Sequence, residues 1–185
     1  MSKQAVLVVD LQNEYLATGK LPLVNIDRAL QNAAKVIAAA RSKHIPVIHI
    51  RHEDPNPEAG FFVPDTAGVV IIDSVAPHDH ESVITKNHPN SFLKTGLLDL
   101  LQQQGIEQVT IIGAMSHVCI DATTRAASDF GFKCTVVEDA CATMDLEFNG
   151  VVVPAAQVHA ALMSALGFAY ADIQSTENYL QAGLS

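Results

Sequence analysis

Short apolar runs alternate along this chain with longer segments in which apolar residues recur every three or four positions. The first run, Ala5-Val6-Leu7-Val8-Val9, has no polar interruption and predicts a strand that is buried on both faces. Residues 26–43 then carry one apolar stripe, which predicts a helix with Asn25 as its N-cap. The two periods in succession are typical of a strand followed by a helix that packs on it.

The alternation continues to the end of the chain. Further strands are predicted at residues 46–50, 82–85, 108–112, 132–137 and 169–173, and further helices between Thr95 and Gly105 and over residues 119–130 and 154–166. This order predicts an α/β fold in which helices cover both faces of a parallel sheet. Residues 54–81 are rich in Pro, Gly, Asp and His and show no period, which is typical of a long functional loop.

Length, charge and cysteine usage narrow the class of protein. A chain of 185 residues fits a single domain over residues 1–185. The net charge of −9 argues against nucleic acid or an anionic membrane as a partner. No apolar run is long enough to cross a bilayer, and the first ten residues lack the pattern of a signal peptide. Three cysteines without a disulfide-framework spacing favour the reducing cytoplasm.

Ligands of parallel α/β sheets bind beyond the carboxyl ends of the strands, near a topological switch point. The residues that follow the predicted strands are therefore the first candidates for a site. They are Asp10, Arg51-His52, Lys86, the segment from Gly113 to Cys119, and Glu138-Asp139.

Three of these candidates carry side chains suited to acyl transfer, although each has a simpler alternative. Asp10 is a partly desolvated carboxylate that can accept a proton, or a capping residue after the first strand. Lys86 can balance negative charge, or lie solvated at the surface. Cys119 stands where a helix is predicted to begin, and the helix dipole there favours the thiolate. A lone cysteine is nevertheless more often a small buried apolar residue, as we predict for Cys134 and Cys141.

The motifs around these residues are more specific in combination. They read Val8-Val9-Asp10-Leu11-Gln12-Asn13-Glu14-Tyr15, then Thr85-Lys86-Asn87-His88-Pro89-Asn90-Ser91-Phe92, then Gly113-Ala114-Met115-Ser116-His117-Val118-Cys119. In this order the chain resembles the isochorismatase-like cysteine hydrolases, which include nicotinamidases and N-carbamoylsarcosine amidase. The resemblance covers nearly the whole chain.

The resemblance implies a Rossmann-like three-layer α/β/α sandwich, with a six-stranded, mainly parallel sheet that carries a catalytic triad. Asp10 would take the thiol proton, Cys119 would attack a carbonyl-type carbon, and Lys86 would hold the charges in place. A cis peptide is implied between Ala114 and Met115, with the amides of Met115 and Cys119 forming the oxyanion hole. The resemblance also implies no cofactor and a homo-oligomer, either a dimer or a tetramer.

Two departures narrow the activity. Nicotinamidases hold a divalent metal through an aspartate and histidines after the second strand, whereas this chain reads Arg51-His52-Glu53-Asp54-Pro55 there. His78-Asp79-His80 resembles a metal-binding triplet, but loop histidines are more often solvated, and we predict no metal. Isochorismatases proper lack a cysteine at the position of Cys119. We therefore expect a hydrolase of C–N bonds, of amide or carbamoyl type, that acts on a small, largely planar molecule.

Other residues are predicted to line the substrate pocket: Tyr15, Phe61, Phe62, His117 and Ile120. For the two phenylalanines, a loop anchor or a subunit contact is an equal alternative. Two other functions stay open at this level. One is a redox sensor that uses Cys119, although no Cys-x-x-Cys pair supplies a resolving partner. The other is a non-catalytic α/β binding or assembly protein that keeps the scaffold.

Overall fold

The fold was analysed in a computed structural model that describes residues 3–56 and 58–182. The remainder of the predicted domain, residues 1–2, 57 and 183–185, lies outside the described residues. The strands are β1 (Lys3–Val9), β2 (Val47–His52), β3 (Ser82–Lys86), β4 (Ile106–Ala114), β5 (Lys133–Ala142), β6 (Leu146–Phe148), β7 (Val151–Val153) and β8 (Ala171–Gln174). The helices are α1 (Ile26–Ser42), α2 (Leu97–Gln103), α3 (Asp121–Asp129), α4 (Ala155–Ala169) and α5 (Thr176–Gln181).

Six of the strands form one sheet in the order β3-β2-β1-β4-β5-β8, and each neighbouring pair is parallel. From β1 the chain first adds strands on one side of the sheet and then, from β4, on the other. The strand order therefore reverses between β1 and β4, and their carboxyl ends border the crevice where α/β folds bind ligands. The predicted α/β architecture and six-stranded sheet are confirmed.

The sheet has a separate hydrophobic core on each face, which makes the fold three-layered. Val6 and Val8 of β1 pack with the apolar stripe of α1 and with Tyr179 of α5. Ala5, Leu7 and Val9 point to the other face, where they pack with residues of α2, α3 and α4. An uninterrupted apolar run is needed in β1 because both faces of the strand are buried. Within the described residues, no helix combines the length and hydropathy that a membrane crossing requires.

Two of the predicted helix starts differ from the structure in detail. Asn25 does precede α1, but its φ of 58° is left-handed and its side chain makes no capping bond. Its backbone carbonyl instead accepts from the amides of Arg28 and Ala29. The predicted helix over residues 119–130 begins earlier, as a π-helical turn over Ser116–Ile120 that leads into α3. Cys119 therefore lies inside this π turn rather than at the first residue of an α-helix.

The segment after β5 contains a hairpin that the sequence analysis did not predict. β5 extends to Ala142, and β6 and β7 then pair in antiparallel fashion around Asn149-Gly150. Asn149 and Gly150 have φ values of 52° and 77°. Asn-Gly is the strongest short sequence signal for such a turn, and it was available in the sequence.

The long loop over residues 54–81 folds into two short 3₁₀ turns, Ala67–Val69 and Asp73–Val75, that are held against the first strand's end. Gln12, fully buried, donates from Nε2 to the carbonyls of His52 and Val69 and accepts from the His52 amide. Glu14, also buried, accepts from the amide of Phe62 at 3.0 Å. These two polar side chains therefore fix the loop above the candidate site.

A close approach between β1 and β4 requires a glycine at position 113. The φ of Gly113 is 131°, and a Cβ placed there would lie 2.0 Å from the carbonyl oxygen of Val9. Because the obstacle is backbone, it cannot rotate away as a side chain would. Gly113 thus allows the ends of β1 and β4 to meet.

We expect Gly113→Ala to lower the free energy of unfolding by about 3 kcal/mol or more, since it combines a forbidden φ with a backbone clash. Gly60→Ala is the matched control, because a Cβ at Gly60 meets nothing within 4 Å. Urea titrations of both variants would measure the difference. Equal midpoints for the two would contradict the assigned role of Gly113.

Candidate active site

Three residues from three separate strand ends meet in one buried cluster. Lys86 Nζ lies 2.7 Å from Asp10 Oδ2 and 3.3 Å from Cys119 Sγ. Asp10 has no exposed surface, Lys86 is 1% exposed and Cys119 is 5% exposed. A carboxylate, an ammonium group and a thiol therefore touch in a site from which water is almost excluded.

The topology explains why a lysine is suited to this position. β3 and β1 lie on opposite sides of β2, so their ends are about 10 Å apart, or two strand spacings. Only a long side chain extends from the end of β3, across the end of β2, to Asp10. Asp10 itself has a left-handed φ of 53°, which ends β1 abruptly while its amide still donates to the Ile50 carbonyl.

The environment of the thiol corrects one expectation from the sequence. Burial raises the pKa of Cys119, the charge of Asp10 raises it further, and Lys86 only partly opposes them. Burial in this cluster therefore disfavours the thiolate, which a helix start would favour. Of its two charged neighbours, Asp10 therefore disfavours the thiolate of Cys119 and Lys86 favours it.

His52, at the end of β2, is a fourth member of the cluster. Its Nδ1 lies 3.0 Å from Lys86 Nζ, and burial together with the positive charge of Lys86 lowers the pKa of His52. His52 is therefore neutral, with Nδ1 accepting from the ammonium group. In the sequence, His52 stands out as a residue after the second predicted strand and within the segment compared with a metal site. Its contact with Lys86 could not be predicted, because register decides which side chain faces that lysine.

Aromatic rings close one side of the cluster. The ring of Phe62 packs edge-to-face at 5.2 Å on both Tyr15 and His52. Tyr15 is 1% exposed, and burial, followed by the charges of Asp10 and Cys119, raises its pKa. Phe62 is 3% exposed, whereas Phe61 is 42% exposed. Of the two phenylalanines, Phe62 anchors the loop beside the cluster and Phe61 faces solvent.

The remaining residues predicted for the site lie in or beside the π turn. The peptide bond between Ala114 and Met115 is cis. His117 is half-buried, its Nδ1 lies 2.6 Å from Thr143 Oγ1, and burial lowers its pKa. Ile120 has no exposed surface and packs in the core with α2, α3 and α4, so it lines no open cavity here.

Comparison with known proteins places this geometry in a family. Residues 4–165 match the isochorismatase domain. The chain belongs to the isochorismatase family.

Close relatives share nearly its full length. An uncharacterised isochorismatase family protein of Bacillus subtilis is 46% identical over 177 residues, which is 96% of this chain and 98% of that protein. The solved structure of an isochorismatase hydrolase from Oleispira antarctica is 49% identical, with a TM-score of 0.94 over 98% of this chain and 97% of that one.

More distant relatives carry names that state an activity. Nicotinamidase 3 of Arabidopsis thaliana is 30% identical over 179 residues, covering 90% of this chain and 82% of that protein. A maleamate amidohydrolase of Pseudomonas putida is 28% identical over 151 residues, covering 74% of this chain and 71% of that protein.

The position that holds metal in the nicotinamidase branch of the isochorismatase family does not suit a metal in this chain. His52 Nδ1 is engaged with Lys86, Glu53 pairs with Arg51 at 2.9 Å, and Asp54 Oδ1 accepts from the amide of Asn56. These donor atoms do not converge on one point. The residues present at this position therefore do not fit a metal site.

Elsewhere in the described part of the chain, one histidine–carboxylate group has its ligand atoms within 4.8 Å of one another: His78, His80 and Glu81. Glu81 is already occupied, because its oxygens accept from Arg41, His49 and the amide of His78. Burial by itself would raise the pKa of Glu81, but hydrogen bonds from Arg41 and from the His78 amide lower it to about 2. The carboxylate thus stabilises the loop as the partner of Arg41.

The charges around Cys119 give a prediction with opposite signs for its two neighbours. Asp10→Asn removes the negative charge that raises the thiol pKa, and Lys86→Met removes the positive charge that lowers it. At a fixed pH near 8 we expect Cys119 to react with iodoacetamide about tenfold faster in Asp10→Asn and more slowly in Lys86→Met. Intact-mass kinetics over a pH series would measure both, with thermal unfolding as the check on folding. Shifts in the same direction would refute the charge assignment.

Proposed function

We propose that this protein is a cysteine-dependent hydrolase that cleaves a C–N bond, of amide or carbamoyl type, in a small molecule. The observation that carries the proposal is the buried contact among Asp10, Lys86 and Cys119 at the switch point of the sheet. The nicotinamidase and amidohydrolase names of two relatives support the bond type. The burial that raises the thiol pKa supports a mechanism in which proton removal accompanies attack.

In the proposed first half-reaction, Cys119 Sγ attacks the carbonyl carbon while its proton passes to Asp10. The C=O electron pair moves to oxygen, and the amides of Met115 and Cys119 stabilise that oxyanion. When the tetrahedral intermediate collapses, the C–N bond breaks and the amine leaves with the proton from Asp10. The product is a thioester on Cys119.

In the second half-reaction, water attacks the thioester carbon and gives its proton to Asp10. The C–S bond then breaks, the thiol recovers the proton, and the acid is released. Lys86, which contacts both Asp10 and Cys119, offsets the negative charge that moves between the carboxylate and sulfur. His52, as a neutral acceptor, orients the ammonium group of Lys86.

The deep burial of Cys119 beside aromatic rings favours a small, planar substrate. The thiol is 5% exposed, and the rings of Tyr15 and Phe62 lie on the loop side of the cluster. We place Phe61 and His117 at the entrance. Phe61 is exposed and contacts the ring of Phe62, and His117 is half-buried on the π turn that carries Cys119. Ile120 contributes to the site only by supporting Cys119 from the core.

The two alternative functions are less well supported. Redox-sensor cysteines combine a low pKa with solvent access, whereas burial raises the pKa of Cys119, Cys134 and Cys141 alike. A scaffold without activity would have no need to keep a carboxylate and an ammonium group buried beside a thiol. Each alternative is an outcome of the experiment below.

The test is ammonia release from a panel of small amides, ureides and carbamoyl compounds, with intact-mass detection of the acyl-enzyme. We expect turnover for planar small amides and none for peptides. Cys119→Ala and Asp10→Asn should each lower kcat by about a thousandfold or more, because each removes a member of one cooperative unit. Cys134→Ala is the matched control and should retain activity, since that buried thiol lies on β5 away from the cluster.

Asp10→Asn discriminates most sharply, because it should react faster with iodoacetamide and yet lose turnover. Turnover that persists in Cys119→Ala would contradict covalent catalysis. A reactive Cys119 without turnover of any panel member would favour the sensor, and a Cys119 that is inert in both assays would favour the binding protein.

We further propose that the protein is a homo-oligomer that associates through α4. This helix has no charged residue over its fifteen positions, and Phe168 near its end is 91% exposed. In a chain of net charge −9, an uncharged face is where two copies meet with least repulsion.

We also propose a cytoplasmic location, which the free state of all three thiols supports.

Light scattering after gel filtration would test the assembly. We expect twice the chain mass or more for the natural sequence, and a shift toward one chain in Phe168→Asp, because a buried charge at the interface is costly. Leu93→Asp is the control, since Leu93 is 47% exposed and lies on the loop before α2. The same mass for both variants would exclude α4 as the interface.

A further inference from the structure

A second polar chain, separate from the Asp10 cluster, ends on the π turn that carries Cys119. Ser116, the first residue of that turn, has no exposed surface, and its Oγ lies 2.8 Å from His159 Nδ1. His159 Nε2 lies 3.4 Å from Glu138 Oε2. The chain thus joins α4 and β5 to the loop that bears the proposed nucleophile.

The partners fix the direction of these hydrogen bonds. Glu138 is a carboxylate and can only accept, so the Nε2 of His159 carries the proton. In the neutral imidazole, Nδ1 is then an acceptor and takes the hydroxyl proton of Ser116. The carbonyl of Ala142, 3.3 Å from the same hydroxyl, is a weaker competitor for it.

Ser116 is well placed to control the proposed oxyanion donors. It directly follows Met115, whose carbonyl accepts from the amides of Val118 and Ile120 and so closes the π turn. A rotation of Ser116 would tilt the Met115 backbone on one side and the Cys119 amide on the other. The position of both amides therefore depends on what holds the Ser116 side chain.

We infer that His159 is a positioning residue for this reaction: through Ser116 it holds the π turn so that the amides of Met115 and Cys119 point at the developing oxyanion. The inference rests on the proposed function. The hydrogen bonds of His159 in the described structure go to Ser116 and Glu138 rather than to Asp10, Lys86 or Cys119. Its effect should therefore appear in the rate of the chemical step rather than in substrate binding.

Two substitutions distinguish the contribution of His159 Nδ1 from that of His159 Nε2. In His159→Asn the side-chain oxygen takes the place of Nδ1 and can still accept from Ser116, while the link to Glu138 is lost. In His159→Gln the amide takes the place of Nε2 and reaches Glu138, while the acceptor at Ser116 is lost. We expect His159→Gln to lower kcat about tenfold to a hundredfold with KM within threefold, and His159→Asn to stay within about threefold in both.

The matched control is His44→Gln, which changes an exposed histidine after α1 at the opposite edge of the sheet. A double-mutant cycle should show that Ser116→Ala lowers kcat little further when His159→Gln is already present, since the pair acts as one unit. Thermal unfolding of each variant checks that the fold is intact.

A readout without substrate keeps this test independent of the proposed function. The ¹⁵N–¹H resonances of Met115 and Cys119 should shift in His159→Gln and stay near their natural positions in His159→Asn and His44→Gln. If no amide is hydrolysed by the natural protein, the proposed function fails, and the resonances alone then decide the positioning role. Equal kinetics, or equal resonances where no turnover exists, for His159→Gln and His159→Asn would overturn the inference.

Discussion

Two opposite charges lie almost wholly out of water at the edge of the sheet, where Lys86 Nζ is 2.7 Å from Asp10 Oδ2. Neither ion is tolerable there without the other, and removal of one partner of such a pair typically costs about 3–5 kcal/mol. The strands that carry them must therefore end at matching levels on either side of β2. The loop over residues 54–81 must also cover them, which the buried side chains of Gln12 and Glu14 ensure.

The same exclusion of water sets the chemistry of the thiol. Burial raises the pKa of Cys119 and lowers that of His52, so neither the thiol nor the imidazole favours its charged form there. In the proposed reaction, proton transfer from the thiol to the buried carboxylate accompanies attack. The burial of the thiol also limits its exposure to oxidants.

Particular residues show how far sequence reasoning reached. Asp10, Lys86 and Cys119 follow apolar runs, and the carboxyl ends of parallel strands meet at one edge, so their proximity was predictable. The hairpin around Asn149-Gly150 was also predictable from its turn signal but was missed. Asn25 precedes α1 as predicted, yet the left-handed conformation of its backbone moves the side chain out of capping position.

The sequence by itself determined the α/β class, the order of the main strands and helices, and the motifs near the ends of β1, β3 and β4, because apolar periods and motif order are local properties of the chain. Only the tertiary structure decided that Cys119 lies in a π turn where burial raises its pKa, that His52 faces Lys86, and that His159 reaches Ser116. These features depend on desolvation and on contacts between residues 34 or more positions apart. Such contacts are set by the register and packing of the folded chain, which no local pattern records.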